Sequence, residues 1–375
     1  ASRGTREALR VSFAHHFINE GFRMPQAQAY AAQSDQSGLA PFSLERRALR
    51  PDDVAIDIDY CGVCHTDIHF VQNDWGMTQY PVVPGHEIVG RVSAVGNQVT
   101  SFKPGDIVGV GCMVDACRQC APCQEGLEQY CLEGPTLTYN GEDRHDHSIT
   151  FGGYSDAIVV SDRFVVSIPE QLNPAAAAPL LCAGITTYSP LRHYGVKAGD
   201  KVGVIGMGGL GHMGIKFAKA MGAEVTVFTR SENKVDEAKA QGAEHIIVSS
   251  DEAQMQAAAG YFDFMLDTVP VQHDLNPYIG LLRHDGTHIL VGLVEPIEPA
   301  LHAGGLIFGR RVLAGSLIGG MPETQEVLDF CAQHNITCDI EMLDIHNINA
   351  AYERVKKGDV KYRFVIDMAT LKADG

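Results

Sequence analysis

Apolar and polar positions alternate with a period of two over residues 53–60 (DVAIDIDY), which predicts a strand. Residues 88–95 and 107–110 read as further strands. Turns at Gly96-Asn97 and Lys103-Pro104-Gly105-Asp106 separate them. A Cys- and His-rich loop is expected after Tyr60. Residues 111–150 show little periodicity and read as a lobe or long loop, and 151–168 return to strands. This first part predicts a β-rich, barrel-like domain. From about residue 175 the pattern changes. Residues 175–195 read as one helix ending at Gly195. Short apolar strands at 201–205, 224–229, 245–248, 262–266 and 288–291 then alternate with helical stretches that include 232–241. That alternation predicts a parallel sheet covered on both faces. A helix is expected at 322–334, and the closing strand at 362–367 (YRFVID) is expected to return to the first domain. The fold class is therefore a two-domain α/β protein, with an α/β unit inserted into a β-rich one.

Composition narrows the function. A chain of 375 residues is long for one core. Its 45% hydrophobic and 20% charged content is that of an ordered protein. The net charge of −17 argues against a nucleic-acid partner. The lack of an eighteen-residue apolar run argues against a membrane span. With no signal-peptide pattern and only ten cysteines, a reducing cytoplasm is the default location. Residues 1–26 lack either period. They read as a loosely attached N-terminal extension or as residues upstream of a start at Met24.

The hexapeptide GMGGLG at 206–211 follows the strand VGVI and precedes a periodic helix. In that context GxGxxG is a dinucleotide signature. Gly206 permits the tight turn, Gly208 lets the backbone approach a pyrophosphate, and Gly211 lets the helix pack on the strand, with Gly209 and Leu210 between. The next strand ends in VFTRSENK. No acid stands at its end to hold a ribose 2′-hydroxyl. Thr229, Arg230, Ser231 and Lys234 suit a 2′-phosphate instead, which favours NADP over NAD.

Cys117, Cys120, Cys123 and Cys131 form C-x2-C-x2-C-x7-C. Four thiolates this close can surround one zinc ion and leave no open position, so the site is read as structural, iron–sulfur being the lesser alternative. A second set is dispersed: Cys61, Cys64, His65, Thr66, Asp67 and His69, then His86 and Glu87, then Cys182. Spacing does not select its coordinating subset. One or two cysteines with a histidine would make an open catalytic zinc site, Cys61 and Cys182 as small buried apolar residues being the lesser alternative.

CGVCHTDIH (61–69), VPGHEIVG (83–90), the four-cysteine lobe, LLCAGITTYSPL (180–191) and GMGGLGHMGIKFAKAMGA (206–223) together resemble the zinc-dependent medium-chain alcohol dehydrogenases. More narrowly they resemble the cinnamyl alcohol dehydrogenase-type subgroup with its bacterial broad-range aldehyde reductases. The resemblance runs from about residue 27 to 371. It implies a GroES-like catalytic domain at 27–178 with a zinc lobe at 111–135, a Rossmann NADP-binding domain at 179–318, and a return to the catalytic domain at 319–375. It implies Cys64, His86 and Cys182 as catalytic zinc ligands, Glu87 as an occasional fourth, and Asp67 as the acceptor orienting His86. Thr66 and His69 match the family's proton relay, and His65 would lie near the cofactor phosphates. Trp75, Tyr80 and Met113 fall where the family lines its substrate pocket, and Ser316 and Ile318 fall near the nicotinamide-side loop. A homodimer with two zinc ions per subunit is implied.

The activity so implied is reduction of aldehydes, aromatic ones included, to primary alcohols by hydride transfer from NADPH. A polyol or secondary-alcohol dehydrogenase is the alternative within enzymes. A zinc-stabilised protein without turnover is the alternative outside them.

Overall fold

The strand expected at 53–60 runs Asp53–Gly62 and is the hub of the first sheet in a computed structural model, which describes residues 26–230, 234–292 and 295–374. The expected extension, up to residue 25, and Ser231 lie outside the described residues. The hub strand changes partner along one edge. Its first half pairs antiparallel with Ala157–Ser161 and its last residues with Arg363–Asp367, while Ile88–Val95 lies along the other edge. Sheet order is Ile340–Asp344, Arg363–Asp367, Asp53–Gly62, Ile88–Val95, Ile107–Val110, Val166–Ser167. The closing strand thus returns to the first sheet. Val54, Ile56 and Ile58 point into its core while Asp57 is exposed, the alternation expected of the segment.

The second sheet is six-stranded and wholly parallel, in the order His245–Val248, Glu224–Thr229, Lys201–Ile205, Phe262–Asp267, Leu282–Leu290, Val312–Gly315. The order reverses beside Lys201–Ile205, and ligands bind outside the carboxyl ends of strands at such a switch point. One apolar cluster joins Val89, Val166 and Val365 of the first sheet to Val202, Val204 and Ile289 of the second. Leu181, Ile185, Val327 and Leu328 complete that seam. No helix of the described residues is long and apolar enough to cross a membrane.

Three expectations need correction. The Cys- and His-rich loop contains a helix, His65–Gln72. Its polar Asp67 is buried beside Ile68, Phe70 and Val71, so the face that packs inward is not apolar in sequence. The single helix over 175–195 is instead a short helix Pro174–Ala177, a 3-10 turn Ala178–Leu181 and a helix Ala183–His193. Cys182 stands at the break with φ −130° and ψ −70°. The strand expected at 288–291 is longer, Leu282–Leu290.

Candidate active site

Three separated segments deliver the dispersed residues to one place. Cys64 caps the helix His65–Gln72, and its amide donates to Asp67 Oδ2 at 2.8 Å, so the carboxylate satisfies an otherwise orphaned donor. The other oxygen of Asp67 accepts from the Gly85 amide at 3.0 Å and faces His86 Nδ1 at 3.1 Å. Gly85 has φ +103°, and a Cβ there would lie 2.8 Å from Cys61 Sγ, so the approach of His86 needs glycine. The helix break at Cys182 brings the third segment in. Sγ of Cys182 lies 3.9 Å from Sγ of Cys64 and 3.3 Å from Nε2 of His86.

Cys64, His86, Glu87 and Cys182 are all buried, and one donor atom of each lies within 4.8 Å of the others. Cys61 is buried outside this group, its thiol beside the Gly62 carbonyl. A carboxylate behind the distal nitrogen of a histidine fixes its tautomer and orientation, as metal-bound imidazoles require. Two thiols, an imidazole and a carboxylate are the donor chemistry of zinc. Burial works against a charged His86, but Asp67 beside it raises its proton affinity well above the ordinary value. Glu87 faces Arg363, Oε1 to Nη2 at 3.1 Å, with both side chains essentially inaccessible. Burial pushes the Glu87 carboxyl up to about 8, against the pull of that guanidinium.

The helix His65–Gln72 also carries Thr66, whose Oγ1 lies 3.6 Å from Cys64 Sγ, and exposed His65. His69 is half-buried one turn on. Its Nδ1 lies 2.7 Å from Oδ2 of Asp74, a partner the sequence reading missed, and its ring lies 5.1 Å from that of Trp75. Trp75 is exposed, Met113 is buried in the strand Met113–Asp115, and the half-buried Tyr80 donates its hydroxyl to the Val71 carbonyl at 2.8 Å. Cys112, also missed, is half-buried with its thiol 3.8 Å from the Leu181 carbonyl, and contact with Cys182 lowers its pKa, so that it ionises more readily.

The glycine turn stands at the switch point. Gly206 has φ +89°, and a Cβ on Gly211 would lie 2.2 Å from the Gly206 carbonyl. The helix Gly209–Ala220 begins there with Leu210 in its first turn. His212 Nδ1 lies 3.2 Å from the Gly208 carbonyl. A Cβ on Gly209 would meet Arg363 Cζ at 3.1 Å. Arg363 is the main omission of the sequence reading. Its only signal was a cation in an otherwise apolar closing strand. Its Nε and Nη2 are buried and, beyond the ion pair of Nη2 with Glu87, make no hydrogen bond among the described residues. Buried donors left open beside a helix N-terminus fit an anionic pyrophosphate. Thr229 ends its strand, Arg230 is exposed directly after it, and Lys234 precedes the helix Val235–Ala240. Ser316 and Ile318 lie between Val312–Gly315 and the helix Met321–His334.

Away from this cleft, Cys117, Cys120, Cys123 and Cys131 bring their thiols within 4.8 Å of one another. Backbone amides point at the sulfurs: Cys117 to Cys131 at 3.4 Å, Cys120 to Cys117 at 3.3 Å, Leu132 to Cys120 at 3.5 Å. The Leu132 amide leads the effects that pull the Cys120 thiol down to about 6. A closed set of four thiols with backbone amides turned onto the sulfurs fits a zinc ion held for structure.

Residues 50–170 match the alcohol dehydrogenase GroES-like domain, and residues 209–333 match the zinc-binding dehydrogenase family. The chain is 54% identical to the aldehyde reductase YahK of Escherichia coli, over 92% of this chain and 99% of that protein. Among solved structures it is similar to a cinnamyl alcohol dehydrogenase from Sorghum bicolor, with 47% identity and a TM-score of 0.89 over 92% of this chain and 98% of that one. It is also similar to a Helicobacter pylori enzyme of that type complexed with NADP(H), with 43% identity and a TM-score of 0.86 over the same shares. With its GroES-like and Rossmann domains and its clustered Cys64, His86 and Cys182, the chain belongs to the zinc-dependent medium-chain alcohol dehydrogenases of the cinnamyl alcohol dehydrogenase type.

Proposed function

We propose that this chain is an NADP-dependent alcohol dehydrogenase that works mainly as a reductase of aldehydes, aromatic ones included. One zinc ion would be held by Cys64, His86 and Cys182, with Glu87 as a fourth donor, and a second by Cys117, Cys120, Cys123 and Cys131. The observation that carries the reading is the buried cluster of Cys64, His86 and Cys182 backed by Asp67, with Arg363 spanning from that cluster to the glycine turn. Zinc bound there supplies Lewis-acid polarisation of a carbonyl oxygen, and NADPH supplies the hydride.

The chain's own groups prepare that chemistry. Asp67 accepts from His86 Nδ1, so Nε2 presents its lone pair to the cluster. Arg363 pairs with the buried Glu87 and offers its open N–H groups to the pyrophosphate. Gly206, Gly208, Gly209, Leu210 and Gly211 supply the turn and helix N-terminus, with His65 at its mouth. Thr229, Arg230, Ser231 and Lys234 would grip the 2′-phosphate. Thr66 beside Cys64 and His69 at the cleft mouth would pass the proton. Asp74 holds Nδ1 of His69, which leaves Nε2 as the exchanging nitrogen. Trp75, Tyr80 and Met113 would bound the substrate, with Ser316 and Ile318 on the nicotinamide side.

The same reading divides the chain at about residues 178 and 318. It places the protein in the cytoplasm, a setting that its ten unpaired cysteines favour. It makes the protein a homodimer through the edge strand Val312–Gly315, near which Ile307, Phe308, Val312 and Leu317 expose apolar side chains.

The test is the initial rate of benzaldehyde reduction by zinc-replete protein with NADPH and with NADH. A strong preference for NADPH is expected. A preference for NADH would overturn the cofactor assignment, and inactivity with both over a wide aldehyde panel would overturn the activity.

A further inference from the structure

The loop between the last strand of the parallel sheet and the helix Met321–His334 leaves the sheet at a carboxyl end, on the side where dinucleotides bind. Its first residue is tied to its own sheet, since the Ser316 amide donates to the Leu290 carbonyl at 3.1 Å. The next two ties come from elsewhere. The Leu317 amide donates to the Tyr130 hydroxyl oxygen at 3.1 Å, and the Met321 amide donates to Oε2 of Glu128 at 2.9 Å. Glu128 and Tyr130 open and close one 3-10 turn, Glu128–Tyr130, which lies between Cys123 and Cys131 of the four-thiol lobe.

The fit between lobe and loop has no slack. A Cβ on Gly320 would lie 1.7 Å from the Gly126 carbonyl oxygen, and one on Gly126 would lie 2.8 Å from Cγ of Pro322. Gly320 caps the helix without a side chain of its own. Glu128 supplies the missing acceptor, with its negative charge at the positive end of the helix. Between the two ties, Ile318 has φ +34°, a left-handed conformation that a β-branched residue adopts only when its surroundings impose it.

We propose that the four-thiol lobe, besides stabilising its own segment, clamps the loop 316–320 through Tyr130 and Glu128, so that these two are positioning residues for hydride transfer. The assignment of this loop to the nicotinamide side rests on the function proposed above. Closing the thiol set fixes the turn Glu128–Tyr130, the turn fixes the amides of Leu317 and Met321, and those hold Ile318 against the cofactor.

The experiment compares the holoenzyme with Tyr130→Phe, Glu128→Ala and Glu128→Gln. It reads kcat, KM for NADPH and benzaldehyde, the kinetic isotope effect with deuterated NADPH, melting temperature, zinc content, and hydrogen exchange over 315–322. Displacement of a reacting group by a fraction of an ångström predicts a fall in kcat of about tenfold for Tyr130→Phe and Glu128→Ala, with a larger isotope effect. Zinc content should stay at the parental value. Glu128→Gln, which keeps an acceptor oxygen, should recover most of the rate. Parental kcat and isotope effect in the first two variants, or a lower melting temperature with unchanged kcat, would overturn the proposal. If the parental protein turned over no aldehyde, the function would fail on its own account, and exchange would still decide the clamp. Faster exchange at Leu317 and Met321 in the variants supports it, and unchanged exchange overturns it.

Discussion

The two cysteine clusters are built by opposite routes. Cys117, Cys120, Cys123 and Cys131 come from one stretch of fifteen residues, and neighbouring backbone amides turn inward onto their sulfurs. Cys64, His86 and Cys182 come from a helix cap, a positive-φ glycine turn and a helix break, and the group that ties the first two together is the buried carboxylate of Asp67. The local cluster depends on its own chain segment. The assembled cluster depends on the fold being complete before it exists, so its loss is expected to cost the fold little.

Substitutions should separate the two most sharply. Cys64→Ala or His86→Ala is expected to lower kcat by more than about 1,000-fold, because the Lewis-acid contribution is lost. The melting temperature should stay within about 3 °C of the parental value. Cys120→Ser should do the reverse, lowering the melting temperature by about 5 °C or more and costing one metal ion per chain before activity falls. Metal analysis, calorimetry and initial rates on the three variants check this. A Cys120→Ser protein with parental metal content and melting would erase the distinction.

Arg363 tests how far the assembled site extends. It stands between Glu87 and Gly209, on the strand that returns from the far end of the chain. Arg363→Leu should raise KM for NADPH by about 100-fold, a loss of two charge-assisted bonds. It should also destabilise the fold by about 1–3 kcal/mol, because the buried Glu87 carboxyl is left without its partner. Adding Glu87→Leu, which removes the orphaned carboxyl, should restore stability but not KM. Restoration of both would mean that Arg363 serves only the ion pair.

The same contrast explains what could be read from the chain. C-x2-C-x2-C-x7-C and GxGxxG hold their geometry in short spacings, so both were legible, as were the alternating strands whose period is intrinsic. The coordinating subset of the dispersed set was not, because Pro179 can announce a helix break beside Cys182 but not which distant side chains the break will meet. Arg363, Asp74 and Tyr130 were missed for a related reason. Each acts across the fold on a partner distant in sequence or at the next loop, and each looks like an ordinary polar residue in its own segment. The helix His65–Gln72 was read as loop because its buried Asp67 serves the site rather than the core.

Asp67 itself should give the next effect in size. Asp67→Asn keeps the shape but removes the charge that orients His86, and zinc affinity should fall about 10- to 100-fold. Competition with a chelator measures this directly. An affinity within twofold of the parental protein would show that backbone geometry alone aims the ring.

A second Cys–His contact gives the smallest but most selective test. His212 Nε2 lies 3.2 Å from Cys338 Sγ, nearly the 3.3 Å of His86 and Cys182. Behind His212 stands the neutral Gly208 carbonyl instead of a carboxylate. A carbonyl only accepts, so Nδ1 carries the proton and the thiol donates to Nε2. Burial then drives His212 down to about 3 and pushes the Cys338 thiol up. The folded chain keeps His212 neutral until about pH 3, whereas the unfolded chain takes up a proton below about pH 6.5. The His212 contribution to stability is therefore whole above about pH 6.5 and is lost as the pH falls toward 3, at up to about 1.4 kcal/mol per pH unit. His212→Gln should lower stability at pH 7 yet flatten its decline between pH 6.5 and 4.5 in urea unfolding. An unchanged acid slope would mean that His212 charges in the folded protein. The carboxylate behind His86 would then not be what distinguishes a histidine held ready for metal from one that fills a core.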